Sequence, residues 1–135
     1  MKVISDLWSR KTILRILMHR ALKDISITGD VIDVGGGREP EYFRYFKSVN
    51  GAKITPIDLS IKNNKGIALN LESSKIPFED NQADFVLMFN LLEHIFNYQH
   101  VSDETYRVLK SQGALIGFVP FLIQYHPDPK DYFRY

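Results

Sequence analysis

The sequence predicts an α/β protein whose parallel sheet is covered by helices on both faces. Three observations carry that expectation: short, near-continuously apolar runs that read as buried strands, helix-period segments between them, and a glycine run closing the first strand. At 135 residues with 44% hydrophobic side chains, the chain suffices for one domain with its own core. A single domain is expected over 1–135, with an N-terminal helix in 1–24 and the α/β core in 28–135.

Residues 5–23 place apolar side chains at three-to-four spacing: Leu7, Ile13, Leu14, Leu17, Met18, Ala21 and Leu22. Arg10, Lys11, Arg15 and Arg20 mark the solvated side, and Ser5 and Asp6 serve as caps. Asp30-Val31-Ile32-Asp33-Val34 is the first strand, stopped by Gly35-Gly36-Gly37. Pro40 suits the first turn of a helix over 41–49, with Tyr42, Phe43, Phe46 and Val49 as its apolar stripe and Gly51 at its end. Residues 52–57 form the second strand, and Asp58 sits just beyond it. A short third strand is expected over 67–71, then a polar loop over 72–82 that holds Pro77 and Asp80-Asn81. Residues 83–89, apolar except for Asp84, form a buried fourth strand, and 91–97 make a connection with a helical turn. Residues 101–110 form a helix with Val101, Thr105, Val108 and Leu109 inward, and with Glu104 and Arg107 paired at i,i+3. Gly113 ends that helix, 114–119 is the fifth strand, and 120–135 is irregular and aromatic. Right-handed crossovers then make a Rossmann-like doubly wound sheet of about five strands. Its ligand site lies at the carboxyl ends of the strands: Gly35–Gly37, Asp58, Asn70–Leu71, Asn90–Leu91 and Pro120–Phe121.

Composition narrows the function. Lys and Arg total 17 against 16 for Asp and Glu, so no global basic field points to nucleic acid and no acidic tail to a basic partner. The absence of cysteine excludes disulfides, zinc–thiolate sites and thiol nucleophiles. Residues 114–123, the longest apolar run, are about half of the roughly 20 residues a membrane span requires, and Gly117 and Pro120 interrupt them. Asp6, Arg10 and Lys11 break any signal-peptide core. The expectation is a soluble cytoplasmic protein that binds neither nucleic acid nor membrane. No carboxylate–histidine cluster has metal-ligand spacing, so no metal is expected.

The chemistry concentrates in Asp33-Val34-Gly35-Gly36-Gly37 and in Asp58, 25 residues after Asp33. Missing Cβ atoms let the backbone turn sharply and approach a ligand, and unpaired N–H groups follow at the next helix start. A carboxylate at the end of the next strand can accept two hydrogen bonds from a ribose diol. Together they favour a nucleoside-containing ligand over an ordinary strand–helix turn with a solvated aspartate. Dinucleotide enzymes want a third glycine or alanine where this chain has Pro40, which weakens that reading. The other class that uses such a pair is S-adenosylmethionine.

At these residues the chain resembles the class I S-adenosylmethionine-dependent methyltransferases, in particular the broad group with a Leu-Glu-His segment after the fourth strand. Residues 33–37 are similar to the first family motif, Asp58 to the acidic ribose ligand and residues 75–86 to the Leu-Pro-Phe…Phe-Asp-Val stretch. Leu91-Leu92-Glu93-His94-Ile95 is similar to the post-strand segment, and residues 104–115 to Glu-x-x-Arg-Val-Leu-Lys-Pro-Gly-Gly-x-Leu. Residues 126–135 resemble a His-Pro-x-Asp-Tyr-x-Arg-Tyr segment of some members. The match spans about 28–135, and motifs in this order and spacing are more specific than any one of them.

The resemblance implies methyl transfer from S-adenosylmethionine to a small-molecule acceptor. Backbone at Gly35, Gly36 and Gly37 would approach the methionine part. Asp33 would hold the turn or meet the cofactor amino group through water. Asp58 would take the ribose hydroxyls, and Leu59 would pack on adenine. Asn70, where the family often has Asp, and Leu71 would lie near the adenine edge, while Asn90 and Leu91 would line the sulfonium. His94 is the base candidate, with a helix-cap role as its competitor, and Glu93 would bind acceptor or hold the loop. His126, Asp131, Tyr132 and Arg134 would line the acceptor pocket.

One departure from the family is length. The family sheet ends in an antiparallel hairpin beside the fifth strand, and this sequence stops at Tyr135 without it. The fifth strand would be an open edge, which invites pairing. The expectation is a fragment of a longer protein or a truncated chain; otherwise the chain completes itself by association, as a homodimer through that edge or the C-terminal tail. A non-catalytic S-adenosylmethionine-binding or dimerisation module is the alternative, and a nicotinamide oxidoreductase is a distant third.

Overall fold

Four parallel strands form the centre of the molecule. The computed structural model describes residues 13–37, 40–62, 65–120 and 130–133. In chain order the elements are α1 (Ile13–Leu22), β1 (Gly29–Val34), a 3-10 turn (Glu41–Tyr45), β2 (Ala52–Ile57), β3 (Ala83–Phe89), a second 3-10 turn (Leu92–His94), α2 (Tyr98–Val108) and β4 (Leu109–Phe118). The strands are ordered β2-β1-β3-β4 and every pair is parallel.

Alternation along β1 and β3 sends apolar side chains to both faces, as a doubly covered sheet requires. Ile32, Val34, Val86 and Met88 join Val101 and Val108 of α2 in one core cluster. Val31, Leu87 and Phe89 join Met18 and Leu22 of α1, with Phe46, in the other. The Rossmann-like doubly wound expectation is met. After β1 the chain moves outward to β2, then returns to place β3 on the other side of β1. That reversal opens a crevice between the carboxyl ends of β1 and β3, where ligands of such sheets bind.

The expected third strand shrinks to one parallel bridge, Ile57 to Ile67. Ile67 N–H donates to the Pro56 carbonyl, and Asp58 N–H to the Ile67 carbonyl. Continuation of the ladder would need the Asp58 carbonyl and the Ser60 N–H, but the first accepts from Ile61 N–H and the second donates to Asp58 Oδ1, so the chain turns away and the ladder stops. Asn70 then closes a turn, its Oδ1 accepting from Glu72 N–H at 3.0 Å.

The helix expected over 41–49 is a single 3-10 turn. Beyond Phe46 the chain is pulled straight: Lys47 N–H donates to the Ile25 carbonyl, and the Ser48 carbonyl accepts from Ile27 N–H. The expected stripe still packs, with Phe46 buried and Tyr42, Phe43 and Val49 partly buried against the α1 face. In α1 itself the buried side is Ile16, Met18 and Leu22, whereas Ile13 and Leu17 of the expected stripe are 65% and 52% exposed. The part of the N-terminal helix expected before Ile13 lies outside the described residues.

The helix expected over 101–110 begins at Tyr98 and ends at Val108, because Leu109 already pairs with Ala83. The next pairing is Phe85 with Ala114, so 110–113 bulge outward. Gly113 fits there because a Cβ would lie 3.0 Å from the Ala83 carbonyl oxygen. Among the described residues β4 pairs along one edge, and no helix is long and apolar enough to cross a membrane.

A guanidinium ties α2 to the loop before β3. Arg107 donates at 2.8 Å from Nε and Nη2 to the two Glu104 oxygens, from Nη2 to the Ile76 carbonyl, and from Nη1 to the Phe78 carbonyl and Asp80. Glu104 in turn accepts from Ile76 N–H at 2.7 Å. The planar fork holds four acceptor groups that one ammonium could not span. Arg107→Ala is therefore expected to lower the unfolding free energy by about 3 kcal/mol, with Arg107→Lys recovering less than half. Urea unfolding measures this, and an unchanged midpoint would contradict it.

Candidate functional site

The turn after β1 is built by absence of side chains. Gly35 has φ +77°, a region that L side chains avoid. It rests against Leu91 at the end of β3, where a Cβ would come within 2.7 Å of Leu91 Cδ1. At Gly36 a Cβ would fall 1.9 Å from Asp33 Oδ2, so the Asp33 carboxyl lies directly against the backbone of the turn. Among the described residues, a Cβ at Gly37 would meet nothing within 4 Å.

Asp33 is completely buried. The Tyr42 hydroxyl lies 2.5 Å from both of its carboxyl oxygens and donates to them. Burial pushes the carboxyl up to about 6; the Tyr42 hydrogen bond opposes that rise, and the nearby Asp58 charge adds to it. Burial and the neighbouring carboxylate also push the Tyr42 hydroxyl well above its ordinary value, so it remains a donor. A carboxylate on the brink of protonation, against an open glycine turn, is a group arranged to meet a cation.

Asp58 follows β2 and is partly exposed. Its Oδ1 accepts from Ser60 N–H at 2.7 Å, which fixes the carboxylate in a tight turn. Leu59 beside it is an apolar side chain that is 74% exposed. Asn70 is exposed with its carbonyl oxygen used in its own turn, so its amide N–H groups are what it can offer a ligand. Leu71 is buried in the same core cluster as Val101 and Val108 of α2. Asn90 adopts φ 50° at the end of β3 and donates its N–H to the Phe118 carbonyl at 2.8 Å. Leu91 follows it, against Gly35.

Past Leu91 the two candidates Glu93 and His94 meet residues 130–133. Glu93 is 3% exposed, and its carbonyl accepts from Tyr132 N–H at 2.6 Å. His94 Nδ1 lies 3.1 Å from the Lys130 carbonyl oxygen and 3.2 Å from Asp131 Oδ1, while Nε2 is 3.9 Å from Glu93 Oε1. The imidazole thus stands between two carboxylates. Tyr132 packs edge-on against Phe96, and Phe133 against Tyr98. Of the four residues expected around an acceptor, Asp131 and Tyr132 reach this turn; His126 and Arg134 lie outside the described residues.

Tyr42 is the site residue that sequence reading missed. Its place in an aromatic stripe marked it as core, and no spacing rule connects it to Asp33. At the opposite end of the sheet Asp84 pairs with Lys110 at 2.8 Å beside an open depression of about 570 Å³.

The family described as Methyltransferase domain matches residues 32–117. A crystal structure of a Pyrococcus horikoshii protein superposes with a TM-score of 0.60 at 23% identity, over 81% of this chain and 52% of that one. A SAM-dependent methyltransferase from Aquifex aeolicus superposes with a TM-score of 0.55 at 21% identity, over 82% and 69%. An uncharacterised protein of Methanocaldococcus jannaschii is 49% identical over 44 residues, 33% of this chain and 19% of that protein. The chain thus spans about half the length of the Pyrococcus protein and a fifth of the Methanocaldococcus one.

Burial of Asp33 has a consequence for stability. Its value in the folded chain, about 6, lies above the ordinary 3.8. The folded state therefore holds the proton more tightly, and stability falls as pH rises from about 4 to about 6, by about 3 kcal/mol in total. Asp33→Asn keeps an acceptor for Tyr42 without the charge. It is expected to resist urea better than the wild type at pH 7.5, with the gap closing near pH 4. Equal gaps at both pH values would contradict the burial cost.

Proposed function

The chain belongs to the methyltransferase-domain family, and on that premise we propose that it transfers a methyl group from S-adenosylmethionine to a small-molecule acceptor. One observation carries the reading: Asp33, the open glycine turn and Asp58 share one crevice at the point where the sheet order reverses. S-adenosylmethionine is the cofactor of the family, and the residues present fit it. Among the described residues a Cβ at Gly37 would meet nothing within 4 Å, a buried carboxylate lies under Gly36, and an exposed Leu59 stands beside Asp58. When bound, the cofactor supplies a methyl group on a positively charged sulfur.

In this reading the backbone of Gly35, Gly36 and Gly37 holds the methionine part, and Asp33 answers its ammonium group. Asp58 accepts the ribose hydroxyls, Leu59 covers one face of adenine and the Asn70 amide meets its edge. Asn90 and Leu91 line the side toward the acceptor. Positioning of donor against acceptor supplies most of the rate. His94 takes a proton where the acceptor must lose one. Nδ1 is held by Lys130 and Asp131, which leaves Nε2 as the accepting nitrogen, and Glu93 and Asp131 stabilise the imidazolium that forms. Tyr132, with His126 and Arg134, belongs to the acceptor side.

Calorimetric titration of the chain with S-adenosylmethionine tests the reading. Saturable binding is expected, weakened about tenfold or more in Asp58→Ala through loss of charged hydrogen bonds. A folded chain that binds neither S-adenosylmethionine nor S-adenosylhomocysteine would overturn it. With an acceptor found by screening for S-adenosylhomocysteine release, His94→Gln is expected to lower kcat about 100-fold while leaving cofactor affinity intact. An unchanged kcat would remove His94 as the base.

A further inference from the structure

We propose that Tyr42 is a positioning residue of this crevice: its hydroxyl holds Asp33 ionised and oriented beneath the glycine turn, ready for a cationic group bound above it. The inference rests on the cofactor reading above and adds a residue that reading does not need.

The geometry constrains the hydroxyl from several sides. Tyr42 stands in the 3-10 turn Glu41–Tyr45, directly after the glycine turn. Its ring is wedged edge-on against Phe89 at 4.6 Å and tilted against Phe43 at 4.9 Å. The phenol therefore reaches Asp33 as a fixed strut. It lies 2.5 Å from both carboxyl oxygens, which occupy the place a side chain at position 36 would take.

The chemistry of the pocket makes that donor consequential. A fully buried carboxyl favours its protonated form unless a donor or a cation supports the charge. Among the described residues the titratable groups acting on Asp33 are Tyr42, which supports the charge by hydrogen bonding, and Asp58 beyond β2, which opposes it. Its β3 neighbour in register is Leu87, which offers no polar group. Tyr42 thus decides whether Asp33 carries a charge near neutral pH. A neutral Asp33 would give up its attraction for an ammonium group.

The test is Tyr42→Phe, which keeps the ring and removes the hydroxyl. The Asp33 carboxyl carbon is followed by NMR against pH in the cofactor-free chain, and S-adenosylmethionine affinity is measured by calorimetry from pH 6 to 8.5. The Asp33 midpoint is expected to rise by about one to two pH units in the variant. Wild-type affinity should exceed that of the variant about two- to tenfold at pH 7, and the ratio should close to well within twofold at pH 8.5, where both carboxyls are largely ionised. An unmoved midpoint, or an affinity ratio constant across pH, would overturn the proposal and leave Tyr42 as packing. If the wild type fails to bind cofactor, the cofactor reading falls while the midpoint still decides the role of Tyr42. Should the Phe variant not fold, a fluorinated tyrosine at position 42, a stronger donor, is expected to move the midpoint downward, and no movement would overturn the proposal.

Discussion

Asp33 and the backbone of Gly36 compete for one volume at the end of β1, and much of the site follows from how that competition is resolved. A side chain at position 36 would displace the carboxyl, so the turn must be bare there. The bare turn folds back at Gly35 onto Leu91, which links the end of β1 to the end of β3 across the crevice. The carboxyl beneath the turn takes its hydrogen bond from Tyr42. The segment after the glycines thus delivers one phenol to one carboxylate and stops after a 3-10 turn. A buried acid whose proton affinity rises on folding lowers stability at neutral pH.

The rest of the molecule holds this crevice still. Two apolar clusters cover the two faces of the sheet, and their side chains come from alternate positions of the same central strands. The Arg107–Glu104 pair fixes the loop that leads into β3, so the register of β3 beside β1 does not depend on apolar packing by itself. Past the end of β3, residues 130–133 add backbone hydrogen bonds to Glu93 and a carboxylate to His94. A turn of three residues is thereby braced from the chain that follows β4.

The central strands were legible because each is a short, nearly unbroken apolar run, and β2 and β3 have the bounds read from sequence. The glycine turn and Asp58 were legible for the same kind of reason: their chemistry depends on residue type and spacing along one strand. What escaped depends on partners distant in sequence. Residues 41–49 have helical periodicity, yet pairing of 47–48 with 25–27 straightens them. Residues 67–71 look like a strand, but the facing chain turns at Asp58 and leaves them no edge to pair with. Leu109 follows a helical pattern and is claimed by Ala83 instead. Tyr42 reads as one more aromatic of a core stripe, and its bond to Asp33 exists through the fold. The reach of 130–133 to His94 is likewise a tertiary event, although the resemblance had placed Asp131 and Tyr132 on the acceptor side.

The central claim is that the crevice at the carboxyl ends of β1, β2 and β3 holds the cofactor. Amide chemical-shift mapping of the chain with S-adenosylhomocysteine tests it most directly, because the readout is positional and needs no acceptor. Shifts should concentrate at Gly35–Gly37, Asp58–Leu59 and Asn90–Leu91 and leave 110–113, at the far end of the sheet, unmoved. Shifts confined to 81–84 and 110–113, or none in a folded chain, would contradict it.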